Sequence, residues 1–177
     1  MKKLLFLAVA ICMMSVAAFA QKTDYSGTWA LDVAKSKLDA RSRIESVTMT
    51  VTQTDKDVKV ATETKRTPMP EAQDGGPARR GGFGPADTSF VYTLDGKETT
   101  TEVEGRGGKM PVKLMAKMDA GKLNLSSSRT FSSPMGEVTA TTKETWALSD
   151  GGKTLTIVRE STSPRGTDTT TMVFVKK

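Results

Sequence analysis

The chain has no histidine, and Cys12, its one cysteine, lies in an apolar leader. A serine triad, a histidine-bearing metal site and zinc–thiolate chemistry therefore lack the residues that build them. What remains is carboxylates, arginines and the tyrosines Tyr25 and Tyr92. Glu144 and Glu160 come nearest to a hydrolytic pair of acids, but they fall on neighbouring strands with different parity and so face opposite sides of a sheet. Asp55, Asp57 and Asp95 could offer oxygens to calcium, yet each sits in turn sequence, where Asp is favoured for its own backbone hydrogen bonds. No catalytic residue, metal ligand or cofactor is expected.

A second constellation is more informative. In the run 138–148, alternation puts Val138, Ala140, Thr142, Glu144, Trp146 and Leu148 on one face; in the next run Leu155, Ile157 and Arg159 share a face. Pairing Trp146 with Leu155 sets Glu144 opposite Ile157 and diagonal to Arg159. A charged pair would then point inward. In a dry core such a pair is costly unless well hydrogen-bonded, so it points to an interior with water or with a polar ligand. The alternative is a structural cap, with Arg159 stacked on Trp29 or Trp146 and Glu144 as its counter-ion.

The elements that would hold these residues are strands. From Ile44 onward, short runs of alternating polarity are separated by turn signals: 45–53 returning through Val58 and Val60; Phe90, Tyr92 and Leu94 joined to 99–103 across Asp95-Gly96; Val112 to Met118 joined to Leu123 and Leu125; 138–148 joined to 154–161; and a last run at 170–176. With an opening strand at 26–31 this predicts about ten strands. Val47, Met49, Val51, Phe90, Leu114, Met118, Leu125, Ile157, Met172 and Phe174 would line the core. Hairpin after hairpin favours an all-β, antiparallel up-and-down barrel of about 8–10 strands, since closure removes exposed edges. One short helix is expected over 33–43, after the first strand, capped by Asp32 and acting as a lid or plug. The stretch 66–87 mixes proline and glycine with few apolar residues and reads as a mobile loop. Its Arg79-Arg80-Gly81-Gly82 tip is read as a solvated basic loop rather than a nucleic-acid tract.

Lys2 and Lys3, the apolar stretch from Leu4 and Ala18-Phe19-Ala20 make a secretory signal peptide over 1–20. The mature chain would span 21–177 as one domain, without thiols and without a transmembrane span, in the periplasm or outside the cell. Of 26 Lys+Arg two lie in the leader, against 20 Asp+Glu, so the mature charge is +4. That modest excess suits an anionic ligand and does not require nucleic acid.

The opening Tyr25-Ser26-Gly27-Thr28-Trp29 resembles the first strand of the calycins, the lipocalins and fatty-acid-binding proteins, with its Gly-x-Trp. The run 33–37, Glu144-Thr145-Trp146 and Ser163-Pro164-Arg165-Gly166 look like uncharacterised secreted bacterial proteins described as lipocalin-like. The resemblance implies that Trp29, with Gly27, plugs the closed end of a barrel. It further implies that Arg159, Arg129 and Tyr92, beside Glu144 and Trp146, receive the anionic head of a small hydrophobic or amphiphilic ligand. The expected function is non-catalytic binding; the alternative is a filled barrel that serves as a structural or interaction protein of the envelope.

Overall fold

The computed structural model describes residues 23–39, 42–67, 88–105, 108–133, 136–164 and 166–177. The expected leader 1–20, and all of the expected loop 66–87 but Arg66 and Thr67, lie outside them. Ten strands follow in order: β1 (Gly27–Leu31), β2 (Ile44–Gln53), β3 (Asp57–Arg66), β4 (Thr88–Thr93), β5 (Thr99–Gly105), β6 (Gly108–Asp119), β7 (Lys122–Ser133), β8 (Gly136–Ser149), β9 (Thr154–Ser163) and β10 (Gly166–Lys176). Sequence neighbours pair antiparallel, except β4 with β5, and β1 also pairs with β10. The result is an antiparallel up-and-down barrel that is nearly closed, with a seam between β4 and β5.

The turns after β2, β4, β6 and β8 gather at one end. There the seam is bridged, because the Gly96 N–H donates to the Ala116 carbonyl at 3.1 Å and Asp95 pairs with Lys117. Turn chemistry explains the composition of this end. Residues 150–152 all have positive φ (52°, 63° and 83°), a conformation that Asp-Gly-Gly adopts with little strain. Asp95 accepts the Lys97 N–H at 2.9 Å, and that bond holds its carboxyl below the usual range. The aspartate serves its turn, as the sequence indicated.

Two expectations are corrected. Among the described residues no α-helix forms over 33–43. Asp32 Oδ1 accepts the Lys35 N–H and Ser36 Oγ donates to the Asp32 carbonyl, giving one turn. Lys37 and Thr171 then exchange backbone hydrogen bonds of 2.7 and 3.3 Å. A stripe of Ala34 and Leu38 buries too little apolar surface to hold a short helix, and the free backbone of β10 offers better-placed partners. Leu38 still packs against the core.

The second correction is register. Leu148 pairs with Leu155, Trp146 with Ile157 and Glu144 with Arg159, so Glu144 faces Arg159 directly and not diagonally. Four turn residues, 150–153, separate the paired Ser149 and Thr154, which fixes the sum of every partner pair. No helix among the described residues is long and apolar enough to cross a membrane.

Candidate ligand-binding site

The barrel interior divides into two halves of different character. Toward the closed end it is filled: Trp29, Val58, Leu123 and Leu155 are fully buried, and Val51, Trp146, Ile157, Met172 and Phe174 nearly so. Tyr25 ties this end together. Its hydroxyl lies 3.0 Å from the Gly121 carbonyl and 2.9 Å from the Trp146 carbonyl, to which it donates, and it accepts the Leu123 N–H at 3.2 Å. Its ring meets Trp146 edge to face at 6.0 Å, and its carbonyl accepts the Trp29 indole N–H at 3.0 Å. Trp29 is thus fully buried among the aromatics of this end. The cation over its ring is Lys176 at 5.3 Å, not Arg159. Gly27 lets Lys176 approach closely, since a Cβ there would lie 2.5 Å from Lys176 Cε.

The filled half ends at a charged level. Arg159 Nε donates to Glu144 Oε1 at 2.6 Å, and the Trp146 indole N–H donates to Glu144 Oε2 at 2.8 Å. The carboxylate thus satisfies a cation and the last buried aromatic together, which is how an inward ion pair is tolerated here. Across the barrel stands Tyr92, 7% exposed. Burial pushes its phenol pKa well up; the Glu144 charge raises it further, while Arg159 and Arg129 oppose the rise. Its hydroxyl is accordingly neutral at ordinary pH. Arg129 also faces inward, because its β6 partner Val112 is buried in the core. Among the described residues no carboxylate forms an ion pair with it. The structure thus brings Glu144, Arg159, Tyr92 and Trp146 to one level, with Arg129 toward the open end.

Beyond that level the inward positions mix buried apolar residues, Val112 and Leu114, with partly exposed hydroxyls. Thr99 pairs with Leu114, Leu114 with Ser127, Ser127 with Thr142 and Thr142 with Ser161. Leu114 is buried, and directly paired residues share a face, so all these hydroxyls point inward. Thr101, Thr170, Thr62 and Thr88 do the same through Val112, Arg159 and Met49. Each of these eight residues is partly buried. Val60, Phe90 and Val103 supply apolar wall between them. An open cleft runs along the free edge of β5 and includes the inward Thr101 and Val103. A second, lined by Thr48, Thr50, Ala61 and Ser89 among others, lies chiefly on the outer face of β2, β3 and β4. Glu160 stands outside the barrel, opposite Lys143, so it cannot join Glu144 in acid–base work.

In the sequence Tyr25 stands out only as a tyrosine at the head of the Gly-x-Trp strand. No local signal links it to Gly121 or Trp146, which lie about a hundred residues away. Lys176 over Trp29 was equally unsignalled.

Comparison with known proteins bears on the fold. No family model matches the chain, and no curated protein matches it in sequence. Among solved structures, the crystal structure of zebrafish ileal bile acid-binding protein complexed with cholic acid is similar with a TM-score of 0.50 at 17% identity, covering 86% of this chain and 98% of that one. The likeness is one of architecture: the barrel is of the calycin type. It spans nearly the whole of that protein.

Proposed function

We propose that the mature chain is an exported, non-catalytic protein of lipocalin-like kind that holds a small amphiphile in the open half of its barrel. One observation carries this reading. Beyond the Glu144–Arg159 level several inward hydroxyls are only partly buried, and Arg129, on the same inward face and itself exposed, has no carboxylate partner among the described residues. An unpaired inward cation costs least when water or an anion can reach it, and the nearby neutral Tyr92 hydroxyl adds a donor. The neighbour in the structure comparison is a bile acid-binding protein, which supports barrel binding of this general sort. The leader 1–20 supports delivery to the periplasm or the exterior.

The test is a fluorescence titration of residues 21–177 with anilinonaphthalene sulfonate, an anionic apolar dye. The wild type should bind it with enhanced emission, and Arg129→Gln should bind roughly tenfold more weakly at low salt. Equal binding by the two proteins would refute Arg129 as the anion receptor. Absence of binding would favour a second reading, an envelope interaction protein, for which the filled closed half is the supporting observation.

A further inference from the structure

Two sheet edges meet at the seam without pairing. The strand order ends at β4 on one side and β5 on the other, and among the described residues no backbone hydrogen bond joins these two strands. Hydrogen-bond direction alternates along a strand, so the bonds at the closed end fix which amides are free. The Leu94 N–H donates toward β3, to the Lys56 carbonyl at 2.7 Å, which leaves Ser89, Val91 and Thr93 of β4 facing the seam. The Ala116 carbonyl accepts the Gly96 N–H at 3.1 Å and so points to the β5 side; Leu114, Val112 and Met110, in step with it along β6, bond Thr99, Thr101 and Val103. Thr100, Glu102 and Glu104 therefore turn their N–H and C=O groups to the seam, and an open cleft runs along them. Free edge amides of this kind are a template on which an extended segment adds as a further strand.

Side chains decide which segment fits. The seam-facing residues of β5 point their side chains outward, and Thr100, Glu102 and Glu104 are all exposed, with no base among them. Glu98, also exposed, stands just before the strand. In a second copy of this chain, every antiparallel register centred between Thr100 and Glu104 would set one of the acids Glu98, Glu102 and Glu104 opposite another, and like charges in that position are destabilising. Self-association along this edge is therefore disfavoured. The lysines of β6 leave the acids available. Lys109 reaches Glu102 at 3.4 Å and Lys113 reaches Glu98 at 2.9 Å, but all four side chains are more than half exposed. Such surface pairs contribute little, and each carboxylate has room for a second donor. We infer that the seam is a docking site for an extended segment of another protein that bears lysine or arginine at alternate positions. The segment pairs along β5, sets its cations against Glu102 and Glu104, and lays its intervening apolar residues beside Val103. This role is independent of small-molecule binding, since it uses the backbone of the barrel edge and not the interior.

The test is fluorescence anisotropy of residues 21–177 with labelled heptapeptides. One alternates lysine with valine, and one alternates glutamate with valine. A third is the lysine peptide N-methylated at each lysine, which keeps the charge and removes the donors that strand pairing needs. The lysine peptide should bind at least roughly tenfold more tightly than either of the others. Glu102→Pro removes one seam-facing N–H and leaves the β5–β6 ladder alone, in a position where edge strands tolerate proline. It should weaken the lysine peptide by roughly tenfold or more with the thermal midpoint near that of the wild type. Glu102→Lys/Glu104→Lys leaves the backbone intact and should invert the preference, so that the glutamate peptide binds better. Equal binding of the methylated peptide would show attraction by charge alone and overturn the inference. An unchanged preference in the charge-swapped variant, or a wild type that binds no peptide, would overturn it as well.

Discussion

Glu144 and Arg159 stand directly opposite each other on β8 and β9, and the carboxylate that neutralises Arg159 also accepts the indole N–H of Trp146. The pair is partly buried, with 14% of the Glu144 side chain and 29% of the Arg159 side chain exposed. Removing one partner strands the other. Glu144→Leu should therefore cost about 2 kcal/mol, read in a urea titration, and change the Trp146 emission spectrum. Replacing both residues by leucine removes the stranded charge, so the double variant should be more stable than Glu144→Leu alone. Simple additivity of the two single losses would show that the charges do not act as a pair.

Tyr25→Phe deletes one oxygen that serves three backbone groups. The Leu123 N–H and the Trp146 carbonyl would be left without it in the closed end. The expected loss is about 1–3 kcal/mol, which lowers the midpoint of thermal unfolding by roughly 2–12 °C in a domain of this size. Ligand binding, in the other half of the barrel, should change little.

Alkaline stability follows from the two tyrosines. Burial raises both phenol pKa values above the ordinary value of 10.0, and Glu144 adds to the rise at Tyr92. Above pH 10 the unfolded chain loses these protons while the folded chain keeps them, so their contribution is complete below pH 10 and is lost as pH climbs through the folded-state values. Urea midpoints should fall as pH rises above about 10, and Tyr92→Phe should flatten that fall. An equally steep fall in Tyr92→Phe would assign the effect to other groups.

Gly27 sits at φ +142° with Lys176 pressed against the place of its missing Cβ. In Gly27→Ala the lysine must swing off the Trp29 ring and the backbone must accept strain, for a loss of about 1–2 kcal/mol. Lys176→Ala in the same chain should recover the steric part only. Full recovery, seen as wild-type thermal stability, would mean that the φ value imposes no strain.

The strands were legible where alternate residues were apolar, and the ones that form the closed half follow the sequence reading closely. Toward the open end that reading stopped short. Alternation marks β6 only from Val112 although it begins at Gly108, marks β7 only to Leu125 although it runs to Ser133, and marks β10 only from Thr170 although it begins at Gly166. The pattern fades at these places because the inward residues there are Ser127, Thr142, Ser161 and Thr170, so inside and outside are both polar. The physical feature that hid the strand ends is the same one that lines the open half. That Glu144, Arg159 and Tyr92 share the inward face was legible because strand parity is local information. Their exact partners depended on the length of one turn, and Tyr25 and Lys176 depended on contacts that no window of sequence contains.

The central claim, that the barrel carries a small molecule, is tested most directly by native mass spectrometry of the mature protein purified gently from the cells that make it. A mass excess of small-molecule size, released on denaturation and lost or reduced in Arg129→Gln, is the predicted result. A bare protein mass that does not shift on incubation with cholate, palmitate or a lipid extract would contradict it.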